Sequence, residues 1–263
     1  AHLVISLHAE TDAATKRPNV AVIPVVDRSG SMAGHNKLSL VTGALRHLSE
    51  HLAADDRLAL VTFDHAIDIA VPVRAADAAG VGAFTQALAR THPGGSTNLH
   101  DAIAAAVSMS ARTSADTLTR LIVLTDGRAN NGPTSLEALS AILAERPDHV
   151  SISFLGVGMD CDHTLLGQLA EAGGGSYGFI ETAADAPSVL GAEVGGLLDA
   201  EAHQVTVTVA ARARYAALAA DAPLGYPGDR EGEVMTFNVT QILRGVTRNI
   251  VIPVRLPGTG KAH

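Results

Sequence analysis

Short apolar runs alternate with longer amphipathic stretches along most of the chain. Residues 20–26 form an apolar run that ends at Asp27, and residues 121–125 form another that ends at Asp126. Runs of this kind are typical of strands that are buried on both faces of a parallel sheet. Between them, leucine and valine recur every three or four residues over 37–53, which predicts an amphipathic helix.

The same two patterns continue over the first 200 residues. Further strands are predicted at 2–9, 58–63, 67–73, 150–155 and 176–180, and further helices at 77–89, 99–111, 135–144, 163–172 and 184–199. The strands at 58–63 and 67–73 are joined by a tight turn and must therefore be antiparallel. The alternation predicts an α/β fold with a doubly wound, Rossmann-like, mostly parallel sheet and one antiparallel edge strand.

The pattern changes after residue 200. Residues 204–210, 233–239 and 249–254 are strand-like, with glycine and proline turns between them, and no long helix is predicted there. Such strands need a second sheet to bury one face. We therefore predict a larger domain at 18–200, and a small discontinuous β-sandwich formed by 1–17 and 201–258.

Oxygen-bearing side chains cluster where the predicted parallel strands end. Three occupy alternate positions of the first loop, a Gly-rich turn supplies a threonine, and the second strand delivers a carboxylate: Asp27, Ser29, Ser31, Thr97 and Asp126. The carboxyl ends of parallel strands share one sheet edge, where ligands of such folds bind. Carboxylate and hydroxyl oxygens suit a hard cation such as Mg²⁺ or Mn²⁺.

This set of residues resembles the metal-ion-dependent adhesion site (MIDAS) of von Willebrand factor type A domains. The resemblance covers residues 18–200 and implies that Ser29, Ser31 and Thr97 ligate Mg²⁺, with Mn²⁺ or Ca²⁺ as alternatives. It further implies that Asp27 and Asp126 act directly or through water, and that an acidic side chain of a protein partner completes the metal shell. The flanking strands resemble those of bacterial and inter-alpha-trypsin inhibitor heavy chain relatives. The alternative is that the loops are ordinary Asx and Ser turns that cap helices.

Four basic residues lie close to the motif in sequence: Arg28, Arg128, His35 and His100. A positively charged rim at the binding face would attract an acidic partner and raise its rate of association. The alternative is that these are solvated loop residues in surface ion pairs that contribute little.

Composition narrows the classes of partner. The formal charge of −8 and the lack of a basic run argue against nucleic acid. No apolar stretch approaches the ~20 residues of a membrane-spanning helix. The single cysteine, Cys161, excludes an internal disulfide, which favours a bacterial or intracellular setting without deciding the compartment.

These observations predict a non-enzymatic, Mg²⁺-dependent protein-binding module. A second hypothesis is a regulatory or assembly subunit that works with a separate AAA ATPase, as some type A domains do. Hydrolysis at the metal is a third, for which the sequence supplies no base or nucleophile. The segment from His47 to His51 matches a zinc protease pattern, but its histidines face away from the apolar side of the helix.

Overall fold

The computed structural model describes residues 1–8, 19–127, 129–182, 184–198, 200–211, 217–223, 228–243 and 247–256. The chain divides into two compact units, Arg17–Leu198 and a unit formed by Ala1–Lys16 with Asp199–His263. No helix within these described ranges has the length and apolarity to cross a membrane.

Strands and helices alternate in the larger unit. Strand β1 (His2–His8) precedes the larger unit in the chain and belongs to the smaller unit. The strands of the larger unit are β2 (Val20–Asp27), β3 (Arg57–Phe63), β4 (Ile67–Ala75), β5 (Leu118–Thr125), β6 (Val150–Val157) and β7 (Gly174–Ile180). Its helices are α1 (Lys37–Ser49), α2 (Ala78–Ala89), α3 (Leu99–Ser110), α4 (Leu136–Ala144), α5 (His163–Ala172) and α6 (Ala186–Leu198), and a 3-10 segment, Gly30–Asn36, precedes α1.

The six strands form one sheet in the order β4-β3-β2-β5-β6-β7. Strand β2 runs parallel to both neighbours, β3 and β5, and only β4 is antiparallel to its neighbour β3. The chain thus winds outward from β2 in one direction and from β5 in the other. The predicted α/β fold, with a mostly parallel sheet and one antiparallel edge strand, is confirmed.

Helices cover both faces of this sheet because its strands are apolar on both sides. Every residue of β2 is buried. On one face, apolar residues of α1, α2 and α6 pack on the sheet, and on the other face those of α3, α4 and α5 do so. The N-termini of α2, α3, α4 and α5 are capped by side chains, from Asp77, Asn98, Ser135 and Asp162.

Strand β7 begins earlier than the sequence suggests. The glycines at 173–175 indicate a turn, yet β7 starts at Gly174 and pairs with β6. A Cβ at Gly175 would lie only 2.2 Å from the carbonyl oxygen of Ile152. Glycine therefore permits a close approach of the two backbones. In the sequence alone, the same run of glycines indicates a turn. Helix α1 ends at Ser49, four residues short of its predicted end at 53.

A buried ion pair connects the middle of the sheet to the last helix of the unit. The guanidinium of Arg120, on β5, donates to Glu193 of α6 at 3.0 Å and to the hydroxyl of Ser153 at 2.9 Å. Burial lowers the pKa of Arg120, and the charge of Glu193 opposes that shift. Because a buried ion pair is costly to break, this contact fixes α6 against β5.

The smaller unit consists of two three-stranded antiparallel sheets. Its further strands are β8 (Ala200–Ala210), β9 (Ala217–Leu218), β10 (Gly228–Glu231), β11 (Val234–Leu243) and β12 (Thr247–Arg255). The sheet orders are β1-β12-β9 and β10-β11-β8. Residues from both sheets share one buried apolar cluster, which includes Phe237 of β11 and Ile252 of β12. The two sheets therefore pack face to face around a core of their own.

Truncation of the central strand tests the core. Ile23 on β2 has no exposed surface, whereas Ile69 on the edge strand β4 is 51% exposed. We expect Ile23→Ala to lower the free energy of unfolding by ~2–5 kcal/mol, because it removes buried methyl groups and leaves a cavity. Ile69→Ala should cost far less. Urea denaturation followed by circular dichroism measures both, and equal losses would contradict the assigned core.

Candidate metal centre

The predicted site lies where the winding direction of the sheet reverses. Asp27 ends β2 and Asp126 directly follows β5, and these two strands are hydrogen-bonded neighbours that run parallel. Both residues have no exposed surface. In doubly wound sheets, the crevice at this point, outside the carboxyl ends of the strands, is where ligands bind.

Hydrogen bonds fix the carboxylate of Asp27 on both of its oxygens. The backbone N–H of Ser29 donates to Oδ1 at 2.7 Å, and the hydroxyl of Thr125 donates to Oδ2 at 2.6 Å. Burial raises the pKa of Asp27, the hydrogen bonds from Ser29 and Thr125 oppose that shift, and the charge of Asp126 adds to it. A nearby cation would favour the charged form of Asp27 and so oppose both of the effects that raise its pKa, burial and the repulsion from Asp126.

The serines of the first loop bring two hydroxyls together. Ser29 Oγ and Ser31 Oγ are 3.1 Å apart, with Ser29 buried and Ser31 half-buried. The side chain of Met32 has no exposed surface and packs in the apolar core, which anchors the loop just after the serines. Both hydroxyls are thus presented at the sheet edge on the loop that follows Asp27.

Backbone hydrogen bonds fasten the loop that carries Thr97 to this first loop. The N–H of Gly30 donates to the carbonyl of Gly95 at 3.0 Å, and the N–H of Gly94 donates to the carbonyl of Arg28 at 2.7 Å. Thr97 itself is 1% exposed.

The loop after Asp126 is tied to the Thr97 loop in the same way. The side chain of Asn130 accepts from the N–H of Thr97 at 2.8 Å. The backbone N–H groups of Asn130 and Asn131 both donate to the carbonyl of Thr97 at 3.1 Å. The structure therefore gathers the loops that carry the five predicted ligands at one edge.

The predicted basic rim is only partly free to meet a partner. Arg28 forms an ion pair with the buried carboxylate of Asp64, with a distance of 3.0 Å between Nη2 and Oδ2. His100 Nδ1 lies 2.8 Å from Asp101 Oδ1, and His35 is exposed with a φ of 52° in the 3-10 segment. Arg128 lies outside the described residues. Because the carboxylate of Asp64 is buried, this ion pair is neither a free rim charge nor the solvated surface pair of the alternative interpretation.

Lys37, which is not among the predicted site residues, contacts one of the two carboxylates. Its Nζ lies 3.3 Å from Asp126 Oδ2 and 2.5 Å from Asp160 Oδ1. A signal was available in the sequence, because Lys37 is the first residue of a predicted helix, where the helix dipole disfavours a cation. A lysine there indicates a carboxylate partner, but the sequence does not identify it, because Asp126 is 89 residues away.

Comparison with known proteins shows which family the larger unit resembles. Residues 22–128 match the family model described as the von Willebrand factor type A domain. The chain contains a von Willebrand factor type A domain. The matched segment includes all five predicted ligand residues, Asp27, Ser29, Ser31, Thr97 and Asp126.

Relatives of this type A domain protein occur in bacteria and animals. It is 26% identical over 213 residues to the uncharacterized protein YfbK of Escherichia coli, across 79% of this chain and 36% of that protein. It is 32% identical over 164 residues to inter-alpha-trypsin inhibitor heavy chain H4 of Sus scrofa, across 59% and 17% of the two chains. The chain thus spans well under half the length of these relatives.

Solved structures share the fold of the type A domain protein. A von Willebrand factor type A protein from Catenulispora acidiphila has a TM-score of 0.80 at 18% identity, over 97% of this chain and 61% of that one. Proximal thread matrix protein 1 from the mussel byssus, in a structure with a zinc-occupied MIDAS motif, has a TM-score of 0.56 at 16% identity, over 73% and 50%.

Charge at the buried edge makes the metal-free stability depend on pH. Because the pKa of Asp27 is raised in the folded state, the metal-free fold binds this proton more tightly than the unfolded chain does. The contribution of Asp27 to the stability of this fold should therefore fall as the pH rises above ~4, the ordinary pKa of an aspartate. Asp27→Asn removes this dependence, so in EDTA its advantage in unfolding free energy over wild type should grow with pH.

Urea denaturation at a series of pH values measures that difference. Asp68→Asn, at an exposed position of β4, is the matched control and should leave the pH profile of wild type unchanged. An advantage of Asp27→Asn that shrinks toward neutral pH would contradict the assigned burial.

Proposed function

We propose that this type A domain binds Mg²⁺ at the edge described above and uses it to recognise a protein partner. The observation that carries the proposal is the pairing of two fully buried carboxylates, Asp27 and Asp126, beside two hydroxyls 3.1 Å apart. Two carboxylates at one buried edge repel each other. The ammonium of Lys37 contacts Asp126 and Asp160, and one positive charge leaves these carboxylates with a net negative charge. A divalent cation supplies further positive charge and uses the hydroxyls as ligands.

The donor set fits a hard cation. Ser29, Ser31 and Thr97 would hold the metal through neutral hydroxyls, and Asp27 and Asp126 would act directly or through water. All of these donors are oxygens, which Mg²⁺ prefers, with Mn²⁺ and Ca²⁺ as alternatives. The mussel protein whose MIDAS holds zinc shows that a related fold accepts another divalent ion.

The proposed role is binding rather than catalysis. When bound, the cation would favour an external carboxylate as a further ligand, because three of its five protein donors carry no charge. An exposed Asp or Glu of a partner protein would complete the shell. The groups that hold Asp27, the N–H of Ser29 and the hydroxyl of Thr125, donate hydrogen bonds and so keep this carboxylate in place.

Metal binding is the first test of the proposal. We expect Mg²⁺ to raise the unfolding temperature of wild type, since a ligand that binds only the folded state adds ~2.7 kcal/mol at 100 times its Kd. Ser31→Ala and Thr97→Ala should each lose most of this gain, because each removes one ligand. Ser39→Ala, at an exposed position of α1, is the matched control and should retain it.

Thermal unfolding in Mg²⁺ and in EDTA gives the comparison. An equal gain in Ser31→Ala, Thr97→Ala and wild type would place the cation elsewhere. Unfolding temperatures that do not respond to Mg²⁺, Mn²⁺ or Ca²⁺ would refute the metal site.

Partner recognition is the second test. Immobilised protein should retain a specific partner from a lysate in Mg²⁺ and release it in EDTA, and Ser31→Ala should retain none. Replacing the exposed acidic residues of that partner one at a time should identify a single carboxylate whose loss abolishes binding. Retention that persists in EDTA would show a metal-independent interface.

A further inference from the structure

A lysine is buried against the carboxylates of the proposed metal site. The side chain of Lys37 is 4% exposed, and its ammonium lies between Asp126, at 3.3 Å, and Asp160, at 2.5 Å. Lys37 opens α1, where the helix dipole disfavours a positive charge. The two carboxylates therefore supply the interactions that hold the ammonium in this position.

The loop after β6 leaves room for this lysine. Gly158 has a φ of +85°, and a Cβ at that position would lie 2.4 Å from Lys37 Cε. The same loop carries Asp160, whose side chain is 44% exposed, whereas Asp126 is fully buried. The ammonium thus bridges a buried carboxylate at the metal edge and a second carboxylate that borders solvent.

We propose that Lys37 lowers the cation affinity of the metal site by competing with the divalent cation for Asp126, and that Asp160 weakens this competition by binding the same ammonium. This inference rests on the proposed function. An ammonium at Oδ2 of Asp126 occupies one face of that carboxylate and lowers the net negative charge of the site. A cation bound there then depends more strongly on the carboxylate of a partner.

The role of Asp160 follows from the same geometry. Its carboxylate shares the ammonium with Asp126, so it weakens the hold of Lys37 on the metal edge. Without Asp160, the ammonium would interact with Asp126 alone and would compete more strongly with the cation. Lys37 and Asp160 therefore act on Mg²⁺ affinity in opposite directions, which a merely structural contact would not produce.

Calorimetric titration of the whole chain with Mg²⁺ alone tests the proposal. We expect Lys37→Met to bind Mg²⁺ about tenfold more tightly than wild type, because a unit positive charge 3.3 Å from Oδ2 of Asp126 is removed. Arg46→Met removes a positive charge from the exposed last turn of the same helix and should leave the affinity unchanged. Unfolding temperatures in EDTA report whether each variant is folded.

Asp160→Asn supplies the second arm. We expect it to weaken Mg²⁺ binding about threefold in the native background and to have little effect in the Lys37→Met background, because its influence passes through the ammonium. Weaker binding by Lys37→Met, or an equal effect of Asp160→Asn in both backgrounds, overturns the proposal.

Two remaining outcomes are also decisive. If Lys37→Met does not fold, Asp160→Asn alone decides, and unchanged or tighter Mg²⁺ binding by that variant overturns the inference. If wild type binds no divalent cation, the proposed function fails and the inference fails with it. If wild type binds Mg²⁺ and the variants bind it with the same affinity, the inference is overturned and the proposed function is not.

Discussion

The burial of two carboxylates at one edge of the sheet is the constraint on which the rest of the site depends. Burial raises the pKa of Asp27, and the neighbouring charge of Asp126 raises it further. Without compensation, two such groups would destabilise the fold. The surrounding chain supplies hydrogen-bond donors and the ammonium of Lys37 at hydrogen-bond distance. These groups therefore stabilise negative charge at the edge of a sheet that is otherwise apolar.

The architecture explains why the carboxylates meet at all. Strands β2 and β5 are separated by almost one hundred residues, yet they are neighbours because the chain winds outward from them in opposite directions. The loops that follow them are each joined to the Thr97 loop mainly through backbone groups, such as Gly30 to Gly95 and Asn130 to Thr97. Backbone contacts do not depend on side-chain identity, so the geometry of the edge is compatible with relatives that share few residues.

The sequence predicts the strands and helices well because burial on both faces leaves a local signature, the continuous apolar run. The edge with Asp27 and Asp126 follows from that signature, since both residues end such runs. Contacts between distant residues leave no comparable signal. Lys37 meets Asp126 across 89 residues and Asp160 across 123, and Arg120 meets Glu193 across 73. The close approach of Gly175 to Ile152 and the short strands β9 and β10 were likewise invisible to periodicity.

The fastening of three loops from distant parts of the chain has a consequence for the order of folding. The segment with Ser29 emerges early in synthesis, but its partner loops emerge about 65 and 100 residues later. Their hydrogen bonds close long chain segments, and such contacts form only after the loop-closure entropy has been overcome. An isolated peptide that carries the serine motif should therefore have no defined site. The edge becomes complete only when β5 has joined β2, which makes it a marker of the assembled centre of the sheet.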